Sequence, residues 1–284
     1  MWLKADLHLH TCEGPEAIVR WTPRDLIDIA ARAGYQVLSF TDHDTQTYDA
    51  SLARYAQDRG VVLIPGVEAT VEGRHVLLYN FSCSPGALRT FRGIRQHKGP
   101  YSLVVAPHPF FPGSTSLRWR LLEQLDIFDA VEYSHFYTNW IDYNRQMLPL
   151  ARGYDLPLLG GSDAHLPCQF GTTYSLVETD PNPEAVIGAV RAGRVRVVSR
   201  PLKTNVLCAI AGALLGGMLL RPGSWPWLAR ALQKGLGVTT VGVASEGTQF
   251  GGPRICEAIT GAEKNRAPGG FIIPADQSHS AGSD

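Results

Sequence analysis

Cysteine is scarce in this 284-residue chain, and what there is does not pair by spacing. The five cysteines, Cys12, Cys83, Cys168, Cys208 and Cys256, are odd in number and form no C-x-x-C. That argues against a disulfide framework or a zinc ribbon and fits a reducing, cytoplasmic setting. A surplus of charge is also lacking, since Lys plus Arg and Asp plus Glu both total 26. An even balance argues against a protein that lives by non-specific attraction to phosphate backbones, and it favours small substrates over long RNA. The N-terminus, MWLKADLHLH, lacks the basic-then-apolar layout of a signal peptide. No G-x-x-x-x-G-K-[ST] loop occurs, which removes nucleotide hydrolysis of the P-loop type. No Ser-His-Asp or Cys-His arrangement offers a covalent route. An apolar run at residues 206–220 (VLCAIAGALLGGMLL) would extend about 22 Å as a helix, short of the roughly 30 Å hydrocarbon core. Lys203, Arg221, Trp225 and Trp227 flank it, so membrane contact stays open beside packing against the rest of the chain.

What is present is an alternation. From residue 3 to about 200, short β-like runs alternate with amphipathic stretches, the pattern of parallel pairing in an open doubly wound sheet or a closed barrel. Residues 3–9 form the first expected strand. A helix follows with Thr22 as N-cap, Pro23 at its first position and Gly34 just past its end. Further strands are expected at 36–40, 61–64, 75–81, 102–106, 130–133, 157–159, 174–177 and 195–199. Helices are expected at 51–59, 85–96, 116–124, 140–152 and 183–192. No internal repeat is visible. Beyond residue 200 the periodicity fades, and the last stretch, ending DQSHSAGSD, reads as unstructured. The expected division is a catalytic unit at 1–200 and an extension at 201–284.

Metal-binding residue types gather just after the apolar runs, six times over. They are DLHLH (His8, His10), FTDHD (Asp42, His43, Asp44), IPGVE (Glu68), VAPHP (His108), VEYSH (His135) and GGSDAH (Asp163, His165). In a parallel β/α barrel the C-terminal strand ends converge on one face, and that face carries the active site. Strand side chains alternate, so His8 and His10 point to one side and can grip one ion. An H-x-H pair alone is a weak signal; Asp163 and His165 repeat the spacing at another strand end, and together the two pairs become specific. Glu68 can bridge ions because its two oxygens can each bind one. Histidine and carboxylate donors without thiolates suit Zn, Mn or Fe.

HLHT, TDHD, GVE, APHP and SDAH in this order resemble the motif series of the PHP (polymerase and histidinol phosphatase) family, over roughly residues 3–200. The resemblance implies a distorted (β/α)7 barrel holding two to three divalent metal ions in one cleft. It implies that His8, His10, Glu68 and Asp163 hold the first metal, that Glu13, His43 and His165 hold the second, and that Glu68, His75 and His108 surround the third. Where many relatives read S-D-G, this chain reads Cys12-Glu13-Gly14. His75 is either a ligand or an ordinary strand residue. His135, where relatives often carry asparagine, contacts substrate phosphate or is a satisfied core histidine. Asp6 precedes the H-x-H by two residues and is expected to orient a ligand histidine through its free ring nitrogen. Asp42 and Asp44 are expected to support the ligands or to be solvated turn residues. Cys12 and Cys168 read as reduced thiols, with soft ligation as the alternative. Arg20, Arg24, Lys98 and Arg118 are the cations placed to meet phosphate, against exposed helix charges as the bland reading.

The implied reaction is metal-dependent phosphoester hydrolysis by a metal-activated water, with Asp163 holding the water and His165 or His135 protonating the leaving oxygen. The implied substrates are small phosphorylated molecules, nucleotides or short RNA or DNA, with histidinol phosphate as an alternative. An amidohydrolase-like C–N hydrolase and a non-catalytic metal-binding PHP module are the competing functions. The first is disfavoured because Glu68 stands where such enzymes carry a carboxylated lysine.

Overall fold

The computed structural model describes residues 1–212, apart from 205 and 209, together with 254–257. Local chemistry sets its first units. In α1 (Pro23–Arg32) the Thr22 hydroxyl accepts from the Asp25 N–H while the Asp25 carboxylate accepts from the Thr22 N–H, a reciprocal cap followed directly by Pro23. Gly34 then takes φ +76°, a left-handed conformation that costs glycine little and ends the helix. Before it comes β1 (Trp2–Leu9); after it come β2 (Val37–Phe40), α2 (Ala50–Gln57) and β3 (Val62–Leu63). The chain continues through β4 (Gly66–Val71), β5 (Arg74–Tyr79), α3 (Phe91–His97), β6 (Leu103–Ala106), α4 (Arg120–Glu123) and β7 (Ala130–Ser134). It closes with α5 (Asn144–Gly153), β8 (Leu158–Gly161), β9 (Thr173–Glu178), α6 (Pro183–Arg191) and β10 (Val195–Ser199).

The strands form two sheets rather than the expected closed seven-stranded barrel. One has the order β10-β9-β1-β2-β3, extended beyond β10 by a short antiparallel strand β11 (Arg254–Glu257); the other runs β4-β5-β6-β7-β8. Direction is the reason. Glu72 and Gly73, at φ 48° and 77°, reverse the chain so tightly that β4 and β5 become an antiparallel hairpin. β5 in turn meets β6 antiparallel, and β9 is antiparallel to both β1 and β10. Among the described residues, only β1-β2-β3 and β6-β7-β8 keep the parallel pairing that alternating strands and helices suggest. The sheets are stitched at two seams by isolated bridges, Leu9 to Ala164 and His43 to Glu68. The Asp163 N–H donates to the His8 carbonyl (2.9 Å) at the first seam, and the Asp44 N–H to the Glu68 carbonyl (3.0 Å) at the second.

Between the sheets lies an apolar layer of Leu3, Ala5 and Leu7 from β1 with Leu77, Tyr79, Val105 and Leu159 from the other sheet. Alternate residues of the same strands, such as Val76, Leu78 and Val104, pack outward with Phe91 and Ile94 of α3. Strands buried on both faces stay apolar throughout, so a polar residue within them needs a specific partner. Glu68 is one: it lies inside β4, not past the end of the 61–64 strand as the sequence reading has it. Among the described residues no helix is long and apolar enough to cross a membrane. Most of the 206–220 run and the final stretch lie outside the described residues. β11 falls in the region expected to lack structure.

Candidate metal centre

Five imidazoles surround one carboxylate. Around Glu68, which is 1% exposed, stand His8 Nε2 (3.1 Å), His10 Nε2 (3.3 Å) and His43 Nδ1 (3.3 Å) at Oε2. His75 Nδ1 (2.8 Å) and His108 Nε2 (3.3 Å) stand at Oε1. Asp163 closes the cluster from the first seam, its Oδ1 lying 3.1 Å from His10 Nε2 and 3.3 Å from His8 Nε2. Three overlapping groups can each hold an ion: His8, His10, Glu68 and Asp163; His10, His43 and His165; and His43, Glu68 and His75. The strand ends deliver them. His8 is the penultimate residue of β1 and His10 follows it, His43 follows β2, His108 follows β6, and Asp163 and His165 follow β8. His108 and Asp163 take φ 27° and 45°, left-handed conformations that cost non-glycine residues of order 1–3 kcal/mol and that recur where a site dictates geometry.

The donor set fits divalent cations. A carboxylate has about four acceptor positions, and Glu68 Oε1 makes no well-formed hydrogen bond despite its neighbours; the buried Nδ1 atoms of His10, His43 and His108 likewise make none. Tautomers add to this. His8 gives Nδ1–H to Glu132 Oε1 (2.7 Å), which turns the Nε2 lone pair of the neutral ring toward Glu68 and Asp163. His165 gives Nδ1–H to the Asp163 carbonyl (3.0 Å), freeing its Nε2 in the same way. Lone pairs and carboxylates that converge in this way repel one another unless a proton or a cation sits between them.

Electrostatics separate the rings. Burial works against charge on His8 and His10. The carboxylates outweigh it, raising His8 well above its usual value through Glu132, Asp163 and Glu68, and bringing His10 to about 9. Burial, with neighbouring imidazoles, pushes His43 down to about 4 and His165 to about 3, so both are neutral donors at pH 7. Burial opposes charge on Glu68 and Asp163 too, yet the surrounding histidines hold both well below the usual carboxylate range. A cation must therefore displace protons from both His8 and His10 at neutral pH. Metal affinity is expected to rise with pH between about 6 and 9, with proton release on binding. Chelator competition across that span checks this, and a flat affinity contradicts it.

The structure differs from the sequence reading at several positions. Glu13 is exposed; Glu16, three residues on, sets Oε1 3.4 Å from His43 Nε2 and buries an unpartnered Oε2. Glu16→Gln is expected to weaken ion binding beside His43 and His165 by about tenfold, and Glu13→Gln to leave it unchanged, as read by metal titration. Asp6 does not reach a ring. A one-residue shift in the pairing of β1 with β2, between Asp6 and Leu9, breaks the alternation that would carry Asp6 to the face of His8. Instead Asp6 Oδ1 accepts the N–H groups of His8 (3.3 Å) and Ser162 (3.1 Å), and burial lifts its carboxyl to about 7. The orienting carboxylate is Glu132 in β7, which sequence reasoning missed; its Oε2 also accepts the His108 N–H (2.8 Å). Asp42 is buried and accepts from Thr11 N–H, Thr11 Oγ1 and Thr47 Oγ1, and Asp44 accepts the Thr70 N–H (2.7 Å), so both brace the loops around His43. His135 is buried at the end of β7, beside Gln169.

Of the four cations, Lys98 binds the Ile127 carbonyl and Asp129, ahead of β7 and at the opposite strand end from the cluster. Arg24 stacks over Tyr55 and Arg20 is exposed. Arg118 is exposed in the loop that carries His108, its N–H bonded to the Pro109 carbonyl (2.7 Å). Cys12 and Cys168 are free thiols outside the three groups.

A family model described as PHP-associated matches residues 142–195. Uncharacterized protein MJ1587 of Methanocaldococcus jannaschii is 30% identical over 146 residues, 48% of this chain and 83% of that protein. The chain belongs to the PHP family. The fold is similar to that of the crystal structure of PsfC from Pseudomonas syringae, which superposes with a TM-score of 0.51 at 19% identity over 78% of this chain and 99% of that one. The lesion-specific endonuclease EndoQ of Pyrococcus furiosus aligns at 16% identity and a TM-score of 0.45, covering 67% of this chain and 56% of that one.

Proposed function

We propose that this PHP protein hydrolyses phosphate esters at a centre of two to three divalent ions, Zn, Mn or Fe, acting on a small phosphorylated substrate such as a nucleotide or short nucleic acid. The observation that carries this reading is the convergence of five imidazoles on Glu68, with Asp163 as the second carboxylate. His8, His10, Glu68 and Asp163 would hold one ion, His43, His165 and Glu16 a second, and Glu68, His75 and His108 a third. Bound there, the ions supply Lewis acidity that lowers the pKa of water and neutralises charge on phosphoryl oxygens. The residues do the rest. Glu132 fixes the tautomer of His8 and the backbone of His108, and Asp163, partly open at 21% exposure, orients the attacking water. Burial holds His135 neutral, its own value pushed down to about 4, so at pH 7 it serves as a hydrogen-bond donor to the phosphoryl or leaving oxygen. Arg118, exposed in the loop that carries His108, would meet a phosphate of the substrate.

The catalytic unit spans residues 1–200 and works in the cytoplasm, where its thiols stay reduced. Amide hydrolysis through a carboxylated lysine is disfavoured by the lysines among the described residues: Lys4 donates to the Ala33 carbonyl, Lys98 binds Asp129, and Lys203 is exposed. The test is a panel of nucleotides, phosphodiesters, histidinol phosphate and amides, with and without added Mn, on the parent chain and on a His8→Ala/Asp163→Ala double variant. Mn-dependent phosphate release that the double variant loses is expected. Amide cleavage without ester cleavage overturns the reading.

A further inference from the structure

Gln169 is 2% exposed, and all of its side-chain contacts serve the centre. Its Oε1 accepts the N–H groups of His165 (3.1 Å) and Leu166 (2.8 Å). The amide nitrogen must therefore be the atom that faces the Asp163 carbonyl (3.1 Å) and His135 Nε2 (3.1 Å). Two hydrogens meet two acceptors, so His135 Nε2 accepts and its ring proton resides on Nδ1, an atom that is buried and has no partner. The Asp163 carbonyl also receives His165 Nδ1–H, so one carbonyl and one amide set the tautomers of two histidines. The amide is itself held: the Gln169 N–H donates to the Leu166 carbonyl (3.0 Å), and Thr172 donates to the Gln169 carbonyl through Oγ1 (2.6 Å) and N–H (3.1 Å).

We propose that Gln169 is the positioning residue of this centre, holding the Asp163–His165 turn in register with β7 and fixing the His135 ring as its Nδ1–H tautomer. The inference rests on the reading of Asp163 and His165 as ligands. Its consequence is that three groups move together. A change at Gln169 alters the left-handed turn that carries Asp163, the free Nε2 of His165 and the donor of His135, although Gln169 meets neither ion nor substrate. A glutamine is required because the task needs an acceptor at one end and two donors at the other. Glutamate offers no donors, and methionine offers neither.

The test uses the full chain labelled with 15N-histidine, before and after Zn loading, with His135→Asn to assign the His135 signals. In the parent, His135 is expected as the Nδ1–H tautomer. Q169E keeps the acceptor and loses both donors, and its carboxylate should draw the proton to Nε2, reversing the tautomer. Q169M, of similar volume and without hydrogen bonds, should bind Zn about tenfold more weakly by chelator competition. A structural role alone lowers thermal stability without reversing the tautomer. His135 remaining Nδ1–H in Q169E, or Zn affinity in Q169M within about twofold of the parent, overturns the proposal. If Q169M does not fold, the tautomer in Q169E decides. A parent chain that binds Zn and shows these shifts, yet releases phosphate from no ester, sinks the proposed function and leaves this inference standing.

Discussion

Glu68→Gln is expected to strip the centre of most of its metal and to cut phosphate release about 1,000-fold. The substitution keeps size and removes one charge, so its effect reads the charge alone. That carboxylate is the common neighbour of His8, His10, His43, His75 and His108, and it contributes to two of the three candidate ion groups. A carboxamide has one acceptor oxygen and a nitrogen that repels cations, so it cannot bridge. Loss of about 4 kcal/mol of transition-state stabilisation corresponds to that rate factor. Element analysis of the purified variant and its initial rate at saturating Mn check the expectation. Full metal content with a rate within tenfold of the parent would show that Glu68 is only a buried counter-charge.

Gly161→Ala is the second large effect, and it leaves every candidate ligand unsubstituted. A Cβ built at Gly161 would lie 2.7 Å from His8 Cβ and 2.8 Å from Glu132 Oε1, closer than real contacts allow. One of the two must shift, and either movement breaks the 2.7 Å bond that sets the tautomer of His8. The expected outcome is metal affinity lower by about 10- to 100-fold, as for loss of an orienting partner, with destabilisation of about 1–3 kcal/mol from overpacking. Gly188 in α6 is the control, since a Cβ there meets nothing within 4 Å and alanine favours the helix. Calorimetry and metal titration of both variants separate the cases, and equal behaviour of the two contradicts the close approach.

The helical frame was legible because its signals are local. Thr22, Pro23 and Gly34 announce the two ends of α1 within thirteen residues. Likewise the metal-binding types followed apolar runs, and the structure brings His8, His10, His43, His75, His108, Glu68, Asp163 and His165 into one cluster. What stayed hidden depends on contacts between distant segments. Glu132 meets His8 across 124 positions of sequence, and within VEYS it reads as one more polar residue on a strand. Period-two reasoning failed at Asp6 because the irregularity in β1 falls between it and His8. Glu13 and Glu16 share one loop, and only its path decides which of them reaches His43. The two-sheet arrangement was hidden for a related reason. A two-residue turn at Glu72 and Gly73 reverses a strand where alternation suggested a crossover, and it made β4 invisible as a strand of its own.

The most direct measurement is the metal content of the full chain purified without chelator, with Zn, Mn and Fe quantified per polypeptide and phosphate release recorded before and after Mn addition. Two or three ions per chain, with release that follows their occupancy, is the expected result. A chain that carries no metal, takes up none from Mn and hydrolyses no phosphate ester would contradict the account, and would make the histidine cluster around Glu68 part of a non-catalytic module.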